Sequence, residues 1–414
     1  MLKKFIYPLL LICMINTACN NSEQKQQGET KTDSSYQQGS FGYDFNFLHQ
    51  HDSVIILQTD GGKSKIIVSP KYQAKVFTST ADGNEGVSFG WVNYKAFTGA
   101  EDAHMNAYGG ENRLWLGPEG GKFSLFFKPG SKMVFDNWKT PTPIDTEPWS
   151  VANKSGDMAV LQKQMNLTNY RGTELKLLVD RTIQILNRQQ INKNLDINLD
   201  PKIKAVGYET VNVLTNKGGA EWTEATGMPC MWLLDMFKPT PSTVIVVPFK
   251  SAEGVAFNNV ATTNYFGEIP ADRLRHTDNV LFFKADGKSR GKLGIKPHYA
   301  KSVAGSYDTQ NHILTLVLFE VNPAARYLNQ EWNTEKPPFL GDAVNAYNDG
   351  PLTDGTQMGP FYEIESVSPA AFLRPNQSLS HKHSVYHFTG EEQVLDEIAK
   401  KYFGVGIDDI KKAF

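Results

Sequence analysis

The chain has 414 residues, enough for one large all-β or α/β unit or for two ordinary domains. Its 42 Lys and Arg against 44 Asp and Glu leave a formal charge of −2, so no basic field is available to hold a phosphate backbone, which argues against nucleic acid as a partner. Forty per cent hydrophobic residues supply a sizeable core, while 34 Gly and 21 Pro favour many turns, which argues against a disordered chain and against a helical bundle.

In chain order, Met1-Leu2-Lys3-Lys4, the apolar run over residues 5–15 and the small residues Thr17-Ala18 read as a secretory signal over residues 1–18. The apolar run is too short to span a bilayer as a helix. Ile15-Asn16-Thr17-Ala18-Cys19 resembles a bacterial lipobox, with Asn16 where Leu is usual, and Cys19 is then the lipidated residue. Ordinary secretion with an accidental Cys19 is the alternative. Cys13 falls in the removed segment, which leaves Cys19 and Cys230 and, if Cys19 is acylated, no intramolecular disulfide. Several acyl chains, at about 0.8 kcal/mol per buried methylene, anchor a protein stably. The expected location is a bacterial membrane, the outer membrane, facing the periplasm or the surface. Residues 19–40 are almost wholly polar and read as a flexible tether.

Beyond residue 40 short alternating segments dominate. The clearest spans 174–186, where Leu175, Leu177, Val179, Ile183 and Ile185 share one side at period two. Strands are predicted also at 53–58, 65–69, 87–97, 122–127, 157–167, 208–214, 228–234, 242–248, 279–283, 312–320, 359–366 and 378–388. So many strands without intervening helical patterns favour a large antiparallel sandwich, and the lack of a fixed-period repeat argues against a propeller. No linker divides residues 41–390, which are expected to form one unit. Residues 391–414 are predicted helical, with Thr389 and Glu392 as a capping box, a stripe of Val394, Ile398 and Tyr402, and Gly404 closing the first helix.

Two regions concentrate polar and aromatic groups. Residues 101–121 (EDAHMNAYGGENRLWLGPEGG) are rich in Gly, and Asn112 and Arg113 there offer a carboxamide and a guanidinium fork suited to vicinal hydroxyls or a carboxylate. Alternatively Arg113 pairs with Glu111 or Glu119 and merely pins the loop. In the second region Glu363 and Glu365, two apart on a strand, point to one face, where a carboxylate can act as a general base. His381, His383 and His387 share a face on another strand. They form either a hydrogen-bonded polar wall or, for His381 with His383, a partial metal site. At about 3.3 Å per residue His381 and His387 are roughly 20 Å apart along a straight strand, beyond a common ion. No resident metal or other cofactor is expected. Trp91, Trp115, Trp138 and Trp332 flank Gly, Asn or polar runs and are candidates for a cleft that stacks on sugar faces. No HExxH helix or dinucleotide fingerprint supports zinc-protease or redox chemistry.

Residues 361–388 (FYEIESVSPAAFLRPNQSLSHKHSVYHF) resemble the C-terminal signature of the galactose mutarotase-like (aldose 1-epimerase-like) superfold. Ile364-Glu365-Ser366 stands at its catalytic-Glu strand, Leu373-Arg374-Pro375-Asn376-Gln377 at its turn and Tyr386-His387-Phe388 at its closing strand, while Asn112-Arg113 matches its sugar-contacting pair. Segments 111–121, 341–350 and 361–370 are more closely similar to an uncharacterised group of bacterial lipoproteins of that superfold. The resemblance implies an all-β, large antiparallel β-supersandwich with Glu365 as base and Asn112 and Arg113 orienting a sugar; Glu363 is the alternative base, and Trp115, His381 and His383 complete the expected substrate contacts. The family's acid His falls in a Leu-Thr-Asn-His-type segment, where this chain has Lys217, so the acid is left to Lys217, to His104 or to the His381/His383 pair. The expected function is an exported lipoprotein binding carbohydrate in a mutarotase-like cleft with epimerase-like catalysis. A non-catalytic glycan-binding lipoprotein and a metal-dependent sugar lyase or isomerase are the alternatives.

Overall fold

The computed structural model describes residues 35–251 and 253–414. The expected signal segment 1–18, Cys19 and the tether as far as residue 34 lie outside the described residues.

The folded part begins earlier than composition suggests. Ser40 caps the helix Phe41–His49, its Oγ accepting from the Tyr43 N–H at 3.4 Å. The Tyr36 ring lies so close to Gly42 that a Cβ there would sit 2.6 Å from it. Residues 36–40, assigned to the tether on polarity alone, therefore belong to the fold. The helix itself was not foreseen; Phe41, Phe47 and Leu48 bury one face against Ile67, Phe77 and Tyr108.

Among the described residues the strands form three sheets. The smallest is Ile55–Thr59, Ser64–Ser69, Lys75–Thr80. The ten-stranded sheet runs Leu274–His276, Val280–Lys284, Thr243–Pro248, Val303–Asp308, Ile313–Phe319, Ser378–Thr389, Lys204–Asn216, Glu174–Leu186, Met158–Thr168, Ser150–Lys154. The six-stranded sheet runs Ala261–Thr262, Gly291–Ile295, Val344–Asn348, Tyr362–Val367, Cys230–Phe237, Arg113–Gly117. Neighbouring strands pair antiparallel in all three, as in Tyr362–Val367 against Cys230–Phe237.

The main core lies between the two large sheets. Along Thr243–Pro248, Ile245 and Val247 join it with Ile364 and Val385, whereas Val244 and Val246 face the other way. That other face is covered by the C-terminal helices Glu392–Phe403 and Ile407–Lys411 through Leu395, Ile398, Ala399, Phe403, Ile407 and Ile410. The expected capping box does not form: Thr389 ends the preceding strand and Glu391 is the N-cap without a side-chain bond. Gly404 closes the helix at φ 78°, and Val394 and Tyr402 border a stripe centred on Leu395 and Ile398.

Two predicted strands are loops. Residues 87–97 make isolated bridges, Gly90 with Phe237 and Val92 with Gly109, before the 3-10 turn Tyr94–Phe97. Residues 122–127 are turns that bury Phe123, Leu125, Phe126 and Phe127 in succession, so their hydrophobicity reflects a buried loop rather than a pleat. The all-β class, the large antiparallel sheets and the short C-terminal helical segment stand as the sequence suggested.

Candidate active-site cleft

One face of the six-stranded sheet meets the core and the other opens into a cleft. On Tyr362–Val367, Tyr362 and Ser366 face the ten-stranded sheet, with the Tyr362 hydroxyl 2.8 Å from Ser306 Oγ and Ser366 Oγ 2.8 Å from His383 Nδ1. Glu363 and Glu365 point the opposite way. The same alternation brings Arg113, Trp115, Trp232, Leu234, Lys292 and Tyr347 to the cleft side.

Register decides which charges meet. Glu363 stands opposite Met236 and Tyr347, and Glu365 opposite Leu234 and Asn345. Arg113 is opposite Leu234 and Lys292 opposite Tyr347, so each cation reaches a carboxylate diagonally across an intervening strand. Arg113 Nη2 lies 2.6 Å from Glu363 Oε1, and Lys292 Nζ lies 2.9 Å from Glu365 Oε2. The indole Nε1 of Trp232 donates to that same Glu365 oxygen at 2.8 Å, while Glu365 Oε1 has no partner among the described residues. Arg113 lies 4.8 Å over the Trp115 ring and Lys292 lies 4.6 Å over Trp232.

Burial pushes the Glu363 carboxyl up to about 7; Arg113 opposes the shift and the neighbouring Glu365 adds to it. Glu119 is likewise raised by burial, against the pull of Lys292 and of the Trp332 indole N–H, which donates to it at 3.0 Å. The space above these groups forms a cavity of about 310 Å³ and an adjoining lobe of about 620 Å³. Glu119, Arg290, Lys292, Trp332 and Phe266 border both lobes. The Trp138 and Trp332 rings stack with centroids 6.1 Å apart, and Phe135, 60% exposed, extends this platform to the rim. His104 stacks on Phe135 at 4.5 Å and its Nδ1 lies 2.6 Å from the Trp138 carbonyl, which accepts only from a protonated Nδ1.

Several expected site residues fall elsewhere. Arg113, Trp115, His104 and Glu363 line the cleft, whereas Glu365 is fully buried beneath Lys292 and Trp232. Arg113 pairs with neither Glu111 nor Glu119. Asn112 points into the core, away from any sugar, because it precedes Arg113 on the strand and takes the opposite face. Lys217 is exposed beyond the end of Lys204–Asn216, with its N–H bonded to the Lys176 carbonyl, and does not border the cleft. His381 and His383 do share a face, but it is the core face, so they are withdrawn as substrate contacts. Trp91 stacks on Phe361 behind the wall, and Trp138 and Trp332 line the cavity.

The withdrawn residues build a polar seam between the sheets. Fully buried Arg181 donates through Nη1 to Asn212 Oδ1 at 2.7 Å, through Nε to the Ala74 carbonyl at 2.9 Å, and through Nη2 to Asn112 Oδ1. Asn112 Nδ2 donates to Asp235 at 2.6 Å, and Asp235 lies 2.7 Å from His383 Nε2. Ser366 Oγ joins His383 Nδ1 at 2.8 Å to His381 Nε2 at 2.9 Å. Hydrogens on Nε2 of both histidines satisfy the whole run. Burial, with His383 alongside, pulls His381 down to about 3, so its imidazole is neutral. His387 is held by Thr315 and Glu111 at 2.9 and 3.1 Å. Among the described residues no group of three or more His, Cys, Asp or Glu is placed to hold a metal ion.

Sequence reading missed Lys292, Arg290, Trp232 and Tyr347. Lys292 interrupts the short apolar segment Gly291–Ile295, a charge at a strand centre that signals a partner. Trp232 is hidden in Cys230–Phe237, which is apolar on both period-two sides apart from Asp235, so alternation there does not mark the cleft face.

The molecule is thus an all-β sandwich with an aromatic-walled cleft set over two crossed ion pairs. The chain belongs to a family described as a family of unknown function (DUF6786), whose model matches residues 39–414. No curated protein sequence matches it. Among solved structures it is similar to a candidate aldose 1-epimerase from Escherichia coli, at 11% identity over 81% of this chain and 98% of that one, with a TM-score of 0.49. It is also similar to a galactose mutarotase-like protein from Lactobacillus casei, at 10% identity over 81% of this chain and 100% of that one, with a TM-score of 0.46.

Proposed function

We propose that the cleft binds carbohydrate and that Glu363 moves the proton in an aldose epimerase-like ring opening. The observation that carries this reading is a carboxyl pushed up to about 7 in a cavity walled by Trp115, Trp138, Trp232 and Trp332. Indole faces stack on sugar C–H faces, and a group titrating near neutrality serves as donor and acceptor in one cycle. Ionised Glu363 takes the anomeric hydroxyl proton, the C1–O5 bond breaks as a carbonyl forms at C1, and an acid delivers a proton to O5. Rotation about C1–C2 and the reverse steps close the ring on either face. His104 and Glu119, both on the cavity wall, are the candidate acids. The test is a glycan array followed by NMR anomer exchange on the best ligand. Exchange above the buffer rate supports the enzyme.

Binding without exchange supports a glycan-binding protein, the second reading, which is favoured by the occupation of both carboxylates by Arg113 and Lys292. Export and membrane anchoring through Cys19 are part of the same proposal, supported by the lipobox-like residues 15–19. Cys19→Ser is expected to release the protein from membranes; a variant that stays with the membrane fraction after a high-salt wash refutes the anchor.

A further inference from the structure

We propose that the saccharide bound in this cleft is acidic, bearing a carboxylate or a sulfate, and that Arg290 grips its charged group. This rests on the carbohydrate reading above. Arg113, Lys292 and Lys336 each already sit on a carboxylate, at 2.6, 2.9 and 2.5 Å respectively. Among the described residues Arg290 has no such pair. Its Nε donates to the Tyr347 hydroxyl at 3.3 Å, and its guanidinium carbon lies 3.9 Å from the centre of the Phe266 ring. The nearby Asp349 is engaged, one oxygen accepting from the Tyr347 hydroxyl at 3.0 Å and the other from the Gly359 N–H at 2.8 Å. The two terminal nitrogens of Arg290 are therefore left without an acidic partner.

The backbone that carries Arg290 is also fixed. Asn348 Nδ2 donates to the Ser289 carbonyl at 2.9 Å, and Gly350 lies so tightly against the Ser289 and Arg290 backbone that no side chain fits at position 350. A guanidinium held at one edge by a hydroxyl and on one face by a ring loses little further freedom when its fork closes on a planar carboxylate or a sulfate. Arg290 borders both lobes together with Trp332 and Phe135, so a ring on the indole platform and its charged substituent at the fork fit a single ligand rather than a free ion.

The experiment titrates the full chain with two matched pairs: oligogalacturonate against its carboxyl-reduced form, and a sulfated galacto-oligosaccharide against its desulfated form. The acidic member of one pair is expected to bind at least about tenfold tighter than its neutral partner, and which pair does so distinguishes carboxylate from sulfate. Arg290→Gln is expected to cut that preference by about tenfold to a hundredfold, and Arg290→Lys, which keeps the charge but loses the fork, by less. Equal binding of both members overturns the acidic ligand and leaves the carbohydrate reading standing. A preference that survives Arg290→Gln overturns the role of Arg290. Failure of every saccharide to bind overturns both readings.

Discussion

Glu363→Gln is expected to lower anomer exchange by about 10²–10⁴-fold while leaving the fold intact, because glutamine keeps the shape of the side chain but takes no proton. In the wild type, exchange should rise with pH through about 7 as Glu363 ionises. Glu365→Gln is the control. Its carboxylate is fully buried and already receives Lys292 and the Trp232 indole, so its loss disturbs the wall rather than removing the base. If Glu365→Gln abolishes exchange while Glu363→Gln retains it, the base is the residue that the mutarotase resemblance implies.

Stability supplies an independent check on Glu363. Its folded-state pKa of about 7 lies above the ordinary 4.5, so the native state holds the proton more tightly than the unfolded chain. That contribution is fully present below pH 4.5 and is lost as pH rises through about 7. The stability of wild type relative to Glu363→Gln should fall across this window by on the order of 3 kcal/mol. Urea unfolding at pH 5 and pH 8 measures it, and a difference independent of pH removes the basis for Glu363 as the proton carrier.

How much of this was legible is clearest in Glu174–Leu186. Leu175, Leu177, Val179, Ile183 and Ile185 are all buried, as period two requires, and Arg181 falls on the same row with no exposure. The charge in that row was the visible trace of the polar seam. Pairing of faces was harder to read, because alternation says which side chains share a face but not what the face meets. Glu363 with Glu365 and His381 with His383 follow the same rule, yet the first pair turns to the cleft side and the second to the core. The cleft brings together His104, Arg113, Trp232, Arg290, Trp332 and Glu363, with 250 positions between Arg113 and its partner Glu363. Such contacts follow from strand order in the sheet, which local patterns do not encode.

Asp235→Ala is expected to cost about 3–5 kcal/mol, a large share of a domain's usual stability of about 5–15 kcal/mol. Asp235 is fully buried and accepts from Asn112 at 2.6 Å and from His383 at 2.7 Å. Removing it strands both donors and takes the anion from beside Arg181, whose guanidinium is held by the neutral acceptors Asn212, Asn112 and the Ala74 carbonyl. Asp235→Asn should cost less, because His383 can move its hydrogen to Nδ1 and accept from the new amide, Ser366 then turning its hydroxyl toward His381 Nε2, whose own hydrogen moves to Nδ1. Arg181→Met combined with Asp235→Leu should recover part of the single-variant loss, since burying two apolar groups avoids leaving either charge unpaired. Urea unfolding of the three variants and the wild type at pH 7 measures these differences. A loss below about 1 kcal/mol for Asp235→Ala would mean that the seam carries no uncompensated charge and that packing alone holds the two sheets together.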